Sequence, residues 1–448
     1  MRPEERVLPL LRPTRMQLVL LDRLYRLVKS AVEPCLGSRG INARASIQGS
    51  FAKGTLLSDK WEIDVFVEIH GVDREWLRRN AEQALRSCFA RRAPAIAKYS
   101  QHPYLTVSVM GLEADVVPIA RSGDKIIGLG VERTPLHTRY VLEKLSPEGK
   151  DEVRLLKSFF KGVGIYGAET RVRGFSGYMA ELLVITYGSF RGVLRAAAGW
   201  EPPVYIDPEG VGDEDALRRK YRDAPIIVVD PVDPGRNAAG AVSMESLSKF
   251  ILASRLYLER PHEWFFHVAQ PNRPLGGTLR AGLLRLECRG SLGRHPPDAI
   301  WGILTRSAKL LARELAGKGF LPLIYEAWTD ESTEAHILVA LESCRLPEGE
   351  SLSGPQVLSS TERITRFAVK RLREGGAVWP SGEKLVGQRP RSAVYRSAAS
   401  TALLWLSSSG SEPLRRLGLD CTVRCEACTR KERICSPTPP WIAYLSEA

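Results

Sequence analysis

Residues 61–69 alternate without a break: Ile63, Val65, Val67 and Ile69 fall on one face, and Glu62, Asp64, Phe66 and Glu68 on the other. A period of two is that of a β-strand with one buried face, and it sets Glu62 and Asp64 on the same side. A second strand pattern covers 104–110, passes through Gly111 and resumes over 112–118, where Asp115 interrupts an apolar run that Pro118 closes. Upstream, Leu18, Leu21, Tyr25 and Val28 recur at helical spacing. Helices and strands alternate in this way to about residue 149, which reads as one α/β unit.

From 151 to 161 the pattern is helical, with Val153, Leu156 and Phe160 on the packed side and Arg154, Lys157 and Lys161 in a basic stripe. The segment 177–190 is apolar nearly all round and predicts a helix buried at the centre of a second, helical domain. A loop rich in Pro, Gly and charge (200–223) precedes a buried strand (225–229) and a turn (230–235), with Arg236 and Asn237 opening the next helix. Beyond 267 a strand (278–287), a helix (298–318) and two strands (321–328 and 334–341) make a β-α-β-β unit, a small open sheet of ferredoxin-like type. The Pro/Gly/Ser-rich stretch 346–355 reads as a linker to a basic helix (359–373) and a weakly patterned end.

With 448 residues the chain exceeds the size at which one core stops growing, so about two to four domains are expected. It contains no apolar run of membrane-spanning length, and the amphipathic start at 16–28 is broken by Asp22, Arg23 and Arg26. Neither a membrane span nor a signal peptide is predicted, and a soluble, cytoplasmic protein is expected. The net charge of +13 attracts polyanions, and arginine outnumbers lysine about threefold, which suits bidentate phosphate contacts. Nucleic acid is the first partner to consider; for charge alone, a solubilising surface or an ion-pair network is an equal alternative.

Cys35, Cys88, Cys288 and Cys344 stand alone and read as buried thiols. Cys421, Cys425, Cys428 and Cys435 have the spacing C-x3-C-x2-C-x6-C, which fits a small tetrahedral Zn²⁺ site, a redox disulfide or free cysteines.

The chemistry concentrates on Glu62, Asp64 and Asp115. Two carboxylates two residues apart on a strand lie about 6.5–7 Å apart at the backbone, close enough to share one Mg²⁺ or bridge two, and a third from a neighbouring strand completes a two-metal set. A bare Glu-x-Asp is more often a solvated strand face, and Asp115 alone is more often a carboxylate satisfied by a cap or salt bridge. The Gly49-Ser50 turn ahead of the strand, followed by Lys53, shifts that balance, because its N–H groups suit a triphosphate.

These residues resemble the archaeal-type (class I) CCA-adding enzymes, a family of tRNA nucleotidyltransferases. The resemblance rests on Gly49-Ser50 with Lys53 and Glu62-Ile63-Asp64, on His102-Pro103-Tyr104, and on Ala114-Asp115-Val116-Val117-Pro118. It continues through Glu132-Arg133-Thr134-Pro135-Leu136-His137, Glu152-Val153-Arg154-Leu155-Leu156-Lys157 and Tyr166-Gly167-Ala168-Glu169. Arg173-Gly174-Phe175-Ser176-Gly177-Tyr178 and Asp230-Pro231-Val232-Asp233 with Arg236-Asn237 complete it. It is close over residues 1–270 and loose beyond.

The resemblance implies an α+β multidomain chain. A nucleotidyltransferase (polymerase-beta-like) head with a mixed sheet would occupy 1–150 and a helical central (neck) domain 151–266, followed by a ferredoxin-like β-α-β-β body at 267–345 and a tail at 346–448. It implies two Mg²⁺ ions on Glu62, Asp64 and Asp115. Gly49, Ser50, Lys53, His102, Thr134, His137, Lys157, Tyr166 and Arg236 would line the nucleotide pocket. Ser50, Lys53 and Lys157 serve phosphate, Tyr166 offers an aromatic face, and Thr134-Pro135 reads as a cap and first turn anchoring His137. Arg236 presents paired donors to a base edge, or else forms a salt bridge with Asp230 or Asp233. The implied reaction is template-independent addition and repair of the 3′-terminal CCA of tRNA from CTP and ATP. The tRNA acceptor stem and T arm would be the macromolecular partner, with no membrane and with a homodimer left open. The alternatives are another template-free polymerase, adding poly(A) or uridylyl tails, and a non-catalytic RNA-binding protein on the same fold. The cysteine cluster has no counterpart in the resemblance.

Overall fold

Ile63, Val65, Val67 and Ile69 are all buried, and the strand that carries them, Glu62–His70, lies inside a mixed sheet. The computed structural model describes residues 1–90, 94–99, 103–122, 125–127, 131–271, 276–429 and 432–446. The chain divides into two units, Met1–Arg273 with Pro439–Ala448, and Pro274–Thr438.

The first unit begins with helices α1 (Pro3–Leu11) and α2 (Arg15–Gly37), the latter capped by the Thr14 side chain, which accepts from Gln17 N–H. Its sheet contains β1 (Ala43–Gln48), β2 (Glu62–His70), β3 (Ala95–Tyr99), β4 (Pro103–Val109), β5 (Leu112–Ser122) and β6 (Lys125–Ile127). The order is β1-β2-β5-β4-β3 with β6 on β5, and only the β2–β5 pairing is parallel among the described residues. A one-turn helix α3 (Gly49–Lys53) links β1 to the loop before β2, and α4 (Arg74–Phe89) follows β2. Helices α2 and α4 cover the face of Ile63, Val65 and Val67 with Leu21, Leu24, Val28, Leu77 and Leu85. Each such side chain contributes roughly 1.5–3 kcal/mol on burial. That coverage leaves the other face, with Asp64 and Asp115, for chemistry. Pro118 does not end its strand: β5 runs on to Ser122, and among the described residues β4 pairs with it only as far as Val116, which leaves the proline outside that ladder.

The same unit continues in helices α5 (Thr134–Lys144), α6 (Pro147–Val163), α7 (Gly177–Tyr187), α8 (Phe190–Ala198), α9 (Glu214–Lys220) and α10 (Met244–Glu259). Serine side chains cap several of them: Ser146 accepts from Gly149 N–H, Ser176 from Met179 N–H and Ser243 from Ser246 N–H. Phe159, Phe160, Phe175, Phe190, Phe250 and Tyr257 interlock mostly edge to face in the core, with Phe159 stacked on Phe265 at 5.6 Å. The chain end returns here: Trp441 and Tyr444 lie 6.0 and 5.5 Å from Phe265, and the Tyr444 hydroxyl donates to Arg260 O. Three strands, β7 (Val204–Ile206), β8 (Ile226–Asp230) and β9 (Asp233–Asn237), form a small sheet. Arg236 and Asn237 therefore belong to a hairpin strand and not to the start of a helix, because the Pro231-Val232 turn folds β9 straight back on β8.

In the second unit β10 (Gly282–Arg289), α11 (Pro297–Gly317), β11 (Pro322–Thr329) and β12 (Glu334–Leu341) give the expected β-α-β-β order. The stretch expected as a linker is instead a strand, β13 (Gly349–Gln356), which with β14 (Ala377–Ser381) and β15 (Lys384–Pro390) forms a three-stranded sheet beside α12 (Thr361–Arg373). The weakly patterned end supplies α13 (Ala398–Leu406) and β16 (Asp420–Ala427), and β16 completes the sheet β11-β12-β10-β16. No helix of the described residues is long and apolar enough to cross a membrane.

All eight cysteines are paired: Cys35 with Cys88, Cys288 with Cys421, Cys344 with Cys425, and Cys428 with Cys435. This corrects two expectations. Cys35, Cys88, Cys288 and Cys344 are not thiols, and of the readings weighed for Cys421, Cys425, Cys428 and Cys435 the pairing sets aside a Zn²⁺ site and free cysteines and leaves disulfides. Cys421 and Cys425 are four residues apart on an extended strand, roughly 13 Å, whereas ligands of one Zn²⁺ each lie about 2.3 Å from the metal.

Candidate active site

Strands β2 and β5 run parallel with Asp64 opposite Asp115 and Glu62 opposite Glu113. The first-named pair leaves the sheet on the face opposite α2 and α4, where Phe66, Val117 and Ile119 are buried farther along. Thr106 on β4 fixes Asp115, donating to Oδ1 at 2.6 Å. Asp64 is fixed by Gly49, whose φ of +68° is left-handed and whose absent Cβ would sit 1.8 Å from Asp64 Oδ2. Glycine is thus required twice over, for backbone conformation and for room. Glu62 is exposed and accepts from Lys60 Nζ at 2.5 Å.

Burial, then the charges of Asp115 and Glu62, push the Asp64 carboxyl up to about 6, against the pull of Lys53 and Lys60. A cation would relieve this crowding of negative charge. Among the described residues no three His, Cys, Asp or Glu side chains form a ready-made metal cage. Mg²⁺ does not need one, since it keeps waters and takes one or two carboxylates together with substrate phosphates. The all-oxygen donor set and the raised proton affinity of Asp64 fit such an ion.

The basic stripe of α6 grips the loop that follows α3. Arg154 donates to Gly54 O and Leu56 O and pairs with Asp151, Lys157 donates to Thr55 O and Oγ1, and Lys161 pairs with Asp59. Glu181 of α7, fully buried, accepts from Lys53 at 2.5 Å, Thr55 at 2.6 Å and Lys157 at 3.3 Å. Burial lowers Lys157 to about 8, with Glu181 opposing the shift. All three N–H donors of Lys157 are engaged within the protein.

A second cluster gathers on Asp230, fully buried at the end of β8. It accepts from Arg236 at 2.6 Å, Tyr178 hydroxyl at 3.1 Å and Val232 N–H at 3.2 Å, with His137 Nε2 at 2.9 Å. Burial pushes its pKa upward, but the bonds from His137, Arg236 and Val232 win and hold it near 2. The salt bridge weighed as the alternative for Arg236 is therefore present. The His137 ring stacks on Tyr178 at 3.9 Å, and Lys53 Nζ lies 5.7 Å over the Tyr178 ring, which links the two clusters.

Thr134 is the first residue of α5, with Arg133, paired to Asp233, at the cap position and no side-chain cap bond; the expected threonine cap is displaced by one residue. Tyr166 is partly buried, its hydroxyl 3.0 Å from where a Cβ on Gly177 would lie, and Lys161 stands over its ring. Ser50 is partly exposed on α3 and accepts Thr55 N–H through its carbonyl. His102 lies outside the described residues. Sequence reasoning did not single out Glu181, Tyr178 or Asp230 as site residues. The available signal was an isolated carboxylate in the apolar run 177–190.

A nucleotidyltransferase domain is matched over residues 30–143 and the second domain of tRNA nucleotidyltransferases over residues 151–267. The CCA-adding enzyme of Aeropyrum pernix is 43% identical over 98% of this chain and 95% of its own length. Those of Saccharolobus shibatae and Sulfurisphaera tokodaii are 38% identical over 80% of this chain and 82% of their chain, and 42% identical over 71% and 74%, respectively. Among solved structures, a Cid1 poly(U) polymerase aligns over 59% of this chain and 96% of its own at a TM-score of 0.47 and 14% identity. Carrying both domains in order and sharing nearly its whole length with such a relative, the chain belongs to the family of CCA-adding enzymes.

Proposed function

We infer that this protein adds and repairs the 3′-terminal CCA of tRNA without a template, using CTP and ATP and releasing pyrophosphate. The observation that carries the reading is the in-register pair Asp64 and Asp115 beside the Gly49-Ser50 turn. Glu62, Asp64 and Asp115 are the residues that would hold two Mg²⁺ ions, which when bound activate the attacking hydroxyl and neutralise the triphosphate. Asp115, steadied by Thr106, is the carboxylate that would orient or deprotonate the 3′-OH of the tRNA. Ser50 and Lys53 receive the triphosphate, Lys157 supports Lys53 from behind, and Tyr166 offers its ring. His137 and Arg236, both held by Asp230, present donors to ribose, phosphate or base edge. Gly49 keeps the turn close to Asp64, while the roles of His102 and Thr134 rest on the family resemblance. The acceptor stem and T arm of tRNA are the partner that the net charge of +13 suits, and the cytoplasm, where tRNA matures, is the compartment.

The test is incorporation of labelled CTP and ATP, separately and together, on tRNA ending at the discriminator base, at C and at CC. Growth by C, C and A to a fixed length is expected. Long A or U tails would make it a poly(A) or uridylyl polymerase, and no incorporation with retained tRNA binding would make it a non-catalytic RNA-binding protein.

A further inference from the structure

Lys53 of α3 and Lys157 of α6 come from different elements, yet both ammoniums end on the carboxylate of Glu181 in α7. The Lys53, Lys157 and Glu181 side chains are 8%, 2% and 0% exposed. A purely structural buried ion pair is balanced one to one, because unpaired charge in a low-dielectric interior is costly. Here two cations share one anion. Around them stand Asp64 of β2, beyond Lys53, and Arg154 of α6, itself balanced by Asp151. Thr55 donates to the same Glu181 oxygen that Lys157 approaches, so the loop after the Gly49-Ser50 turn is bound into the cluster. Against Glu181 alone the two ammoniums leave one positive charge in excess, beside the loop that follows the Gly49-Ser50 turn, and the further carboxylate that Lys53 meets is Asp64, itself assigned to a cation.

We propose that Glu181 is a positioning residue for the nucleotide: it clamps Lys53 and Lys157 at one spacing, so that their surplus charge is already aimed at the triphosphate before it arrives. The proposal rests on the nucleotidyl-transfer reading of this site. It assigns the clamp to preorganisation, since two long side chains held by one carboxylate lose little freedom on binding. Because Glu181 lies on α7 and Lys53 on α3, the clamp also ties the turn to the helical part of the unit.

Glu181→Gln keeps the shape and an acceptor for Thr55 but removes the balancing charge. KM for CTP and KM for ATP should rise by a common factor of about tenfold or more, with kcat and tRNA affinity changed far less. The alkaline limb of kcat/KM should also move to lower pH, because Lys157 loses the carboxylate that favours its charged form. Glu181→Asp, which retains the charge, should restore the limb and part of the KM. Unchanged KM values, or a lowered melting temperature with the limb unmoved, would reduce Glu181 to a structural residue and overturn the proposal. If Glu181→Gln does not fold, Lys157→Met decides: it leaves Lys53 and Glu181 balanced although it removes the two bonds to Thr55, so the protein should still fold while KM rises for both nucleotides, and an unchanged KM overturns the clamp. Calorimetric binding of inorganic tripolyphosphate separates this from failure of the functional reading. A protein that adds nothing to tRNA should still bind tripolyphosphate, and more weakly after Glu181→Gln; equal binding by parent and variant rejects the proposal whatever the reaction.

Discussion

Asp64 and Asp115 are register partners on the only parallel pair of their sheet among the described residues, so both side chains leave one face at adjacent positions, strands about 4.8 Å apart. Replacing either by Asn keeps shape and removes charge. Each change should cut nucleotide incorporation by roughly 10³-fold or more while tRNA binding persists in a filter or gel-shift assay. Activity within a few-fold of the parent would dismiss the metal assignment.

The same crowding sets a stability trade-off. With its folded value raised from 3.8 to about 6, Asp64 binds a proton more tightly in the native chain than in the unfolded one. The stability that this proton brings is fully present below the unfolded value and is lost as pH rises through about 6. Asp64→Asn should therefore melt higher than the parent at pH 7.5 in chelator, by roughly 2–6 °C, with the gap closing as pH falls toward 4. A gap independent of pH, or of opposite sign, would contradict the crowding.

Gly49→Ala puts a methyl group where Asp64 Oδ2 stands and also asks alanine to hold a φ of +68°. Displacing the carboxylate by about 1 Å is enough to lose roughly 10²-fold in kcat. Steady-state kinetics on tRNA ending in CC checks this; an alanine variant with parental kcat would show that the turn yields.

Two cystines fasten β16 to the second unit's sheet or its edge, closing sequence separations of 133 and 81 residues. Chain-entropy arguments assign about 4–5 kcal/mol to closures of that length. Unfolded, unreduced protein should show no thiol to Ellman's reagent and no bound zinc, and reductant should lower the melting temperature of the second unit. Thiols titrating without reduction would refute the pairing.

The carboxylate face was legible because alternation is a local property: nine residues suffice to place Asp64 beside Glu62. Partnership with Asp115 needed only the next strand pattern. What escaped was non-local. The α6 stripe of Arg154, Lys157 and Lys161 was legible from its helical spacing, but nothing nearby in sequence shows that Gly54, Thr55, Leu56 and Asp59 lie against it. Glu181 was hidden in an apolar helix for the same reason, its two lysines lying 128 and 24 residues away. Cysteine spacing showed a cluster, but three of the four pairings reach 53 residues or more along the chain. Arg236 was set at a helix start because a Pro-rich turn reads alike before a helix and inside a hairpin.

Trp441 and Tyr444, almost at the chain's end, belong to the same aromatic interior as Phe265, and Tyr444 also stacks on His262 at 5.0 Å. The first unit, which carries both matched domains, is thus discontinuous along the sequence. A fragment stopped at residue 273 would expose that interior, whereas joining 439–446 behind 273 would restore its plug, so dissection of this protein has to excise the middle and not trim the tail.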